Sequence, residues 1–360
     1  MKRVLLAPLD WGLGHATRCI PVVRELQRQG CEVVIAGSGD SLELMRREFP
    51  QLQCFSIPGY RPHYPGTGSM VGAMALQLPK FLSVVSAEHR ECENLIDRID
   101  ADFLVSDNRY GCWSQKIPSV FITHQSNILM PRRFGWLAPV VRKLNERMIN
   151  RFHSCWIPDA PGDQSLAEDL ISFGKSNVKI KKEYIGWLSR FENPADTEEK
   201  YDVVAVFSGP EPQRTLLENT VVPQLKASAL KYRVVRGLPV DNSRDEDDRI
   251  VNFLTSEELQ ACISASALVI ARSGYSTVMD MNALGKKVVF IPTPGQTEQE
   301  YLAKRLMEKG IAFYMKQNEF NLRTALQEAK NFSGFTANPK NTLLGEAVKN
   351  LLSKINMQYI

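Results

Sequence analysis

The chain has no run of about 18 apolar residues, so it offers no helix long enough to cross a bilayer. It carries seven cysteines, an odd number without CxxC spacing, which argues against a disulfide framework or a zinc knuckle and for reduced thiols in a cytoplasmic protein. Charge of neither sign dominates: the net charge of +4 is too mild to call for nucleic acid. No repeat of 20–50 residues and no low-complexity tract breaks the chain. A dinucleotide fingerprint is missing too. The first glycine turn has Thr17 where a third glycine belongs, and no acidic residue ends the second strand. The opening "MKRVLLAPLD" starts basic, but its apolar run is short and meets Asp10, so it reads as a first strand and not as a secretory signal.

What is present is a regular alternation. With 44% hydrophobic and 23% charged residues in 360, the composition is that of a globular chain, and the length calls for two domains. Short apolar runs at Val4–Ala7, Val33–Ala36, Phe103–Ser106 and Val120–Thr123 predict buried parallel strands. Val203–Phe207, Arg233–Arg236, Leu268–Ala271 and Val288–Ile291 repeat the plan in the second half. Between the first two runs, Cys19, Val22, Val23 and Leu26 recur at helical spacing, and Gly30 closes that helix. "TSEE" at 255–258 is a capping box, and a further helix ends at Gly285. The predicted class is α/β, with two doubly wound Rossmann-like domains facing across a cleft. The boundaries are 1–157 for the first domain, 158–340 for the second, and 341–360 for a last helix. The stretch 157–200 reads as a linker with a strand at Tyr184–Gly186.

Ligands of such sheets bind beyond the carboxyl ends of the strands, where the chemistry-bearing motifs fall. "LDWGLGHATRC" places His15 on a glycine turn at a helix start, beside Gly14. A positive helix end lowers an imidazole pKa, which suits a general base; the alternative is a histidine that caps the turn. "SDNRYGCW" puts Asp107 and Asn108 at the same edge, Asp107 to orient His15 or the acceptor, or else to cap a turn. His124 ends another strand, as an acceptor contact or else a structural residue. In "ARSGYSTVMDMNALG", Arg272, Ser273, Gly274, Ser276 and Thr277 form a second glycine turn and helix start fit for a diphosphate. Asp280 on that helix suits the two hydroxyls of a ribose. Gln296, Glu298, Gln299 and Glu300 in "PTPGQTEQEY" suit sugar hydroxyls, or form a solvated helix start.

These motifs together resemble the GT-B glycosyltransferases, in the branch of the UDP-N-acetylglucosamine lipid-intermediate transferase of peptidoglycan synthesis. "GLGHATR" carries the resemblance in the first half and "ARSGYSTVMDMNALG…PTPGQTEQ" in the second. The resemblance implies that His15 assists acceptor deprotonation and that Phe253 and Leu254 receive the uracil. It also implies that Ser273 and Gly274 hold phosphate and that Gln299 faces the donor sugar. Asp280 stands where the family has Glu, Glu300 where it has a second Gln, and Gly295 where it has His. At "SGPEPQR" the family has a glycine-rich phosphate loop; here Pro210 and Pro212 remove N–H donors, Glu211 repels phosphate, and Ser208, Gly209 and Arg214 remain as donor candidates.

The expected activity is hexosyl transfer from a UDP-sugar to an acceptor hydroxyl, inverting, without a metal and without a cofactor. A nucleotide-sugar hydrolase with the same histidine turn, or a catalytically silent sugar-nucleotide sensor, are the alternatives. Residues 131–153, "PRRFGWLAPVVRKLNERMINRFH", carry Arg and Lys in excess beside an apolar helical face. That stretch either packs on its own domain or rests on an anionic membrane at the inner face, which would suit a lipid-linked acceptor.

Overall fold

The computed structural model describes residues 1–60, 77–124, 135–136, 138–171, 177–192, 197–241, 245–337 and 342–357. Within them the chain builds two parallel sheets. The first is seven-stranded in the order β3-β2-β1-β4-β5-β6-β7, and the second six-stranded in the order β10-β9-β8-β11-β12-β13. The first sheet comprises β1 (Arg3–Pro8), β2 (Glu32–Gly37), β3 (Gln53–Ser56), β4 (Phe103–Asp107), β5 (Ser119–Ile122), β6 (Ser154–Ile157) and β7 (Lys181–Tyr184). The second comprises β8 (Tyr201–Val206), β9 (Tyr232–Val235), β10 (Ile250–Val251), β11 (Ser266–Ala271), β12 (Val288–Phe290) and β13 (Phe313–Tyr314). All ladders run parallel. Helices cover both faces, which is why the central strands are almost continuously apolar and buried.

The strand order reverses at β1 and β4, and again at β8 and β11. These are the switch points where a doubly wound sheet opens a crevice. Register then fixes what stands there. Pro8 pairs with Asp107 and Asp107 with Ile122, so the glycine turn after β1, the end of β4 and the residues after β5 meet at one edge.

Two sequence expectations change. The strand near 184 is β7, Lys181–Tyr184, and it joins the first sheet beside β6, so the boundary at 157/158 falls inside that sheet. Its sequence "KKEY" is largely solvent-facing, and its place comes from backbone pairing rather than from an apolar pattern. The last helix, Leu343–Met357, packs on the first half through Leu344, Ala347, Val348 and Ile355. Gln29 Nε2 donates to the carbonyl of Gly345 at 2.8 Å.

Inside the first half a second buried charge pair ties the loops behind the edge. Arg109 donates to Glu88 at 2.7 Å and to the carbonyls of Pro8 and Pro58, while Glu88 also accepts from Tyr60 and from the Gly111 amide. Both charged side chains are fully buried. Truncating Glu88→Ala leaves a buried guanidinium without its closest counter-ion. The expected loss is about 3–5 kcal/mol of stability, read as a lower urea midpoint at unchanged denaturant slope; a shift under a fifth of that would refute the pairing as a structural tie.

Candidate active site

The two crevices face one another. Between them lies a cleft lined by Leu13, Gly14 and Thr17 on one side and by Ser208, Gly237, Phe253, Leu254, Ser276, Thr277 and Asp280 on the other. The helix α1 (Leu13–Arg28) begins at its rim, after Gly12 at φ 77°, a left-handed value that glycine adopts without strain. His15 therefore occupies the first turn, near the positive end of the helix.

Asp107 and His15 meet as a pair. Asp107 Oδ2 is 3.0 Å from His15 Nδ1, and the carboxylate is fully buried. Burial by itself would raise the Asp107 carboxyl, but the Arg18 guanidinium and His15 outweigh it and hold the group below the usual carboxylate range. Burial lowers the His15 imidazole, and the neighbouring Arg18 charge lowers it further, against the opposing pull of Asp107. The result is a neutral imidazole beside an ionised carboxylate, the state a general base needs.

The sequence reading missed Arg18. It sits three residues after His15 on the same helix face, a spacing that was legible. Its Nε bonds Asp107 at 2.9 Å, its Nη2 lies 2.8 Å from His15 Nδ1, and its Nη1 is 2.7 Å from His124 Nδ1. Beyond it, His124 Nε2 lies 3.1 Å from Glu298 Oε1, across the cleft, and the His124 ring stacks on Tyr275 at 4.5 Å. Both ring nitrogens of His124 thus have protein partners. The side chain expected to meet an acceptor is a link between the halves. Asn108, the other acceptor candidate, takes φ 57°, unusual for a non-glycine, and its buried Oδ1 has no protein partner.

On the donor side several expected contacts turn inward. Arg272 donates to the carbonyls of Ile291, Pro292 and Gln213 and to Gln317, and burial lowers it to about 10. Arg214 is held by Glu211, Glu218 and Thr215. In both cases buried carbonyls or carboxylates demand the guanidinium, so neither arginine is presented to the cleft as the donor reading required. Glu211, expected to repel phosphate, is neutralised by this pairing. Gln299 accepts from the Thr293 amide and donates to Gln296, and Gly295 donates to Glu300, so this cluster shapes its own loop. Ser273 donates to the Gln299 carbonyl at 2.8 Å.

Other candidates stay on the cleft wall. Asp280 lines it with its carboxylate held by Ser189 and Arg190, and burial raises it despite them. The helix Tyr275–Leu284 starts after Gly274, and Ser276 reaches across to the Gly14 carbonyl at 2.7 Å. Gly209, at φ 104°, lies opposite Gly12, where an added Cβ would come within 3.9 Å of its Cα. Phe253 lies under Arg47 of the first half, 5.4 Å from guanidinium carbon to ring centre. Among the described residues no three His, Cys, Asp or Glu side chains gather as a metal site would require.

Residues 215–354 match the model of the glycosyltransferase family 28 C-terminal domain. The chain is 26% identical over 328 residues to an uncharacterised glycosyltransferase of Methanosarcina acetivorans, covering 83% of this chain and 82% of the relative. It is 22% identical over 382 residues to a UDP-N-acetylglucosamine–N-acetylmuramyl-(pentapeptide) pyrophosphoryl-undecaprenol N-acetylglucosamine transferase of Histophilus somni, covering 100% and 97%. Among solved structures it resembles the kitacinnamycin glycosyltransferase (16% identity, TM-score 0.58, 99% and 95% covered) and Acinetobacter baumannii MurG (15%, 0.51, 100% of both).

Because the folded imidazole titrates below its unfolded value, the unfolded chain takes up the His15 proton first as pH falls. Stability contributed by neutral His15 is whole above about pH 6.5 and is lost below it, down to the folded pKa. Urea titrations should show the native chain losing stability over that range relative to His15→Gln. Parallel curves would contradict a buried, neutral His15.

Proposed function

We propose that this chain, whose residues 215–354 match the glycosyltransferase family 28 C-terminal domain, transfers a hexose from a UDP-sugar to an acceptor hydroxyl with inversion. The observation that carries this reading is the Asp107–His15 pair directly after Gly14, which lines a cleft whose far wall holds Ser276 and Thr277 in the first turn of the helix Tyr275–Leu284. Asp107 accepts from His15 Nδ1, which leaves Nε2 to take the proton of the attacking hydroxyl. One base and one direct displacement invert the anomeric carbon.

The leaving diphosphate develops charge where α1 and the helix Tyr275–Leu284 both point their N-termini. Backbone N–H groups there, with the hydroxyls of Ser208 and Thr277, stabilise it in the proposed reaction without a metal or other cofactor. Phe253 and Leu254 form the wall assigned to the uracil, and Asp280 the ribose contact. Asn108, in a left-handed conformation just past the carboxyl end of β4, is the proposed acceptor contact.

The test is product analysis with a panel of UDP-sugars, with and without hydroxyl acceptors. Transfer to an acceptor with little UDP release in its absence supports the reading, and rapid release without acceptor reassigns the chain to hydrolysis. His15→Ala should lower kcat about 10²–10⁴-fold while UDP binding persists. Unchanged turnover would remove His15 as the base.

A lipid-linked acceptor is favoured by the helix Ala138–Ile149. It buries Asn145, Glu146 and Ile149, and turns Val140 and Leu144 outward, 66% and 40% exposed, with Trp136 beside them at 75%. Residues 131–134 and Leu137 of this basic stretch lie outside the described residues. Arg142, Lys143 and Arg147 flank the outward apolar face, and no helix among the described residues is long and apolar enough to cross a membrane. In our reading this face rests on an anionic bilayer. Sedimentation with phosphatidylglycerol vesicles should carry the native chain down at low salt and leave a Trp136→Ser, Val140→Ser, Leu144→Ser variant in the supernatant. Equal sedimentation of the two would refute the contact.

A further inference from the structure

A single polar line crosses the cleft. It runs from Asp107 through Arg18 and His124 to Glu298, and His15 branches from Arg18. Hydrogen-bond chemistry assigns most of its protons. A guanidinium only donates, so His124 Nδ1, 2.7 Å from Arg18 Nη1, carries a lone pair. The His124 proton therefore sits on Nε2 and is given to Glu298.

His15 is different, because its Nδ1 has one neighbour of each kind. Arg18 Nη2 is 2.8 Å away and can only donate; Asp107 Oδ2 is 3.0 Å away and can only accept. Nη2 has a second and shorter contact, Asp107 Oδ1 at 2.5 Å, which can take its hydrogen in place of His15. A proton on Nδ1 goes to Asp107 and leaves Nε2 free. With no proton there, Nδ1 accepts from Arg18, Nε2 holds the hydrogen, and the imidazole is no base.

We propose that Arg18 is a positioning residue that selects the tautomer of His15, and that the His124–Glu298 contact holds Arg18 in the base-competent placement only when the two halves are closed. This rests on the reading of His15 as the base. Glu298 lies in the first turn of the helix Thr297–Glu308, and Tyr275 opens the helix at the donor wall, so both of the second half's holds on His124 belong to donor-side elements. Losing the Glu298 contact frees His124 to carry its proton on Nδ1, where it repels the Nη1 donor and turns Nη2 from Asp107 Oδ1 onto His15 Nδ1, already within reach at 2.8 Å. Base strength thus depends on Glu298 of the donor half being in place, which guards a bound UDP-sugar against water when it is not. The charged and titratable groups facing His15 are Arg18 on its own helix, Asp107, His124 and Glu298.

Long-range ¹H–¹⁵N spectra of the full chain labelled at histidine, with and without UDP, read the tautomers directly. His15 and His124 signals are assigned by their loss in His15→Gln and His124→Phe. The native chain should show His15 protonated on Nδ1 and His124 on Nε2. Glu298→Ala, at a position that is partly exposed, and His124→Phe, which keeps a ring on Tyr275, should move the His15 proton to Nε2; Glu298→Gln, which still accepts, should not. In turnover each of the first two should lower kcat about tenfold, with no further loss when combined, since both break one line. Arg18→Gln should raise the His15 titration midpoint, because Asp107 then acts unopposed. His15 remaining on Nδ1 in Glu298→Ala and His124→Phe, or additive losses in kcat, would overturn the proposal. An active His15→Ala enzyme would remove the base itself while leaving the spectra as expected, so the two failures read differently.

Discussion

A guanidinium cannot give up its charge, and Arg18 is buried to 2% exposure, so everything around it has to satisfy it. Leaving such a group unpaired costs several kcal/mol, and the chain meets the demand with one carboxylate and two imidazoles from three different segments. That requirement fixes α1, the end of β4 and the residues after β5 against each other within hydrogen-bond tolerance. The pair Asp107–His15 inherits its geometry from this. A site built to hold a buried cation is already rigid when a substrate arrives, and rigidity of this sort is what makes a positioned base effective.

The second half treats its cations in the opposite way. Arg272 is fastened to carbonyls at the ends of β12 and the helix Gln213–Lys226, and Arg214 to two glutamates. The cleft wall is lined by apolar side chains, glycine and hydroxyls, and its cation, Arg190, is paired with Asp280. Dipoles attract a diphosphate less strongly than unpaired cations do, but they gain most where charge grows during departure of the leaving group. In the proposed reaction such a wall suits the leaving diphosphate more than tight resting capture.

Much of this was legible in the residues. The eight apolar runs predicted as strands are strands, because a parallel sheet covered on both faces leaves a continuous apolar signature. β3 escaped because it lies at a sheet edge with a polar sequence, β10 and β13 because each is only two residues long, and β6 because its four residues follow directly on the basic helical stretch; β7 was expected, at 184–186 instead of 181–184. In the site, the glycine turns announced where His15 and Ser273 lie. The sequence could not reveal which polar side chains face the cleft. Arg272 and Gln299 carry the chemistry of ligand contacts, yet buried carbonyls and an amide of their own domain claim them first. Arg18 was readable only as a helical neighbour of His15, since its partners Asp107 and His124 lie 89 and 106 residues away.

The ties across the cleft are of a different strength from those within each half. Ser276 to Gly14, Glu48 to the amide and hydroxyl of Ser256, Arg47 over Phe253 and His124 between Glu298 and Tyr275 are single polar or ring contacts. Each contributes on the order of 1 kcal/mol, whereas Tyr275, Met279 and Leu302 of the second half are buried in the core of the first sheet, and the Tyr275 hydroxyl donates to the Pro158 carbonyl at 2.9 Å. Placing one of those weak ties on the same line of hydrogen bonds as the base makes the reactive state depend on closure, while the heavily buried Arg18–Asp107 pair keeps the base's own half intact throughout.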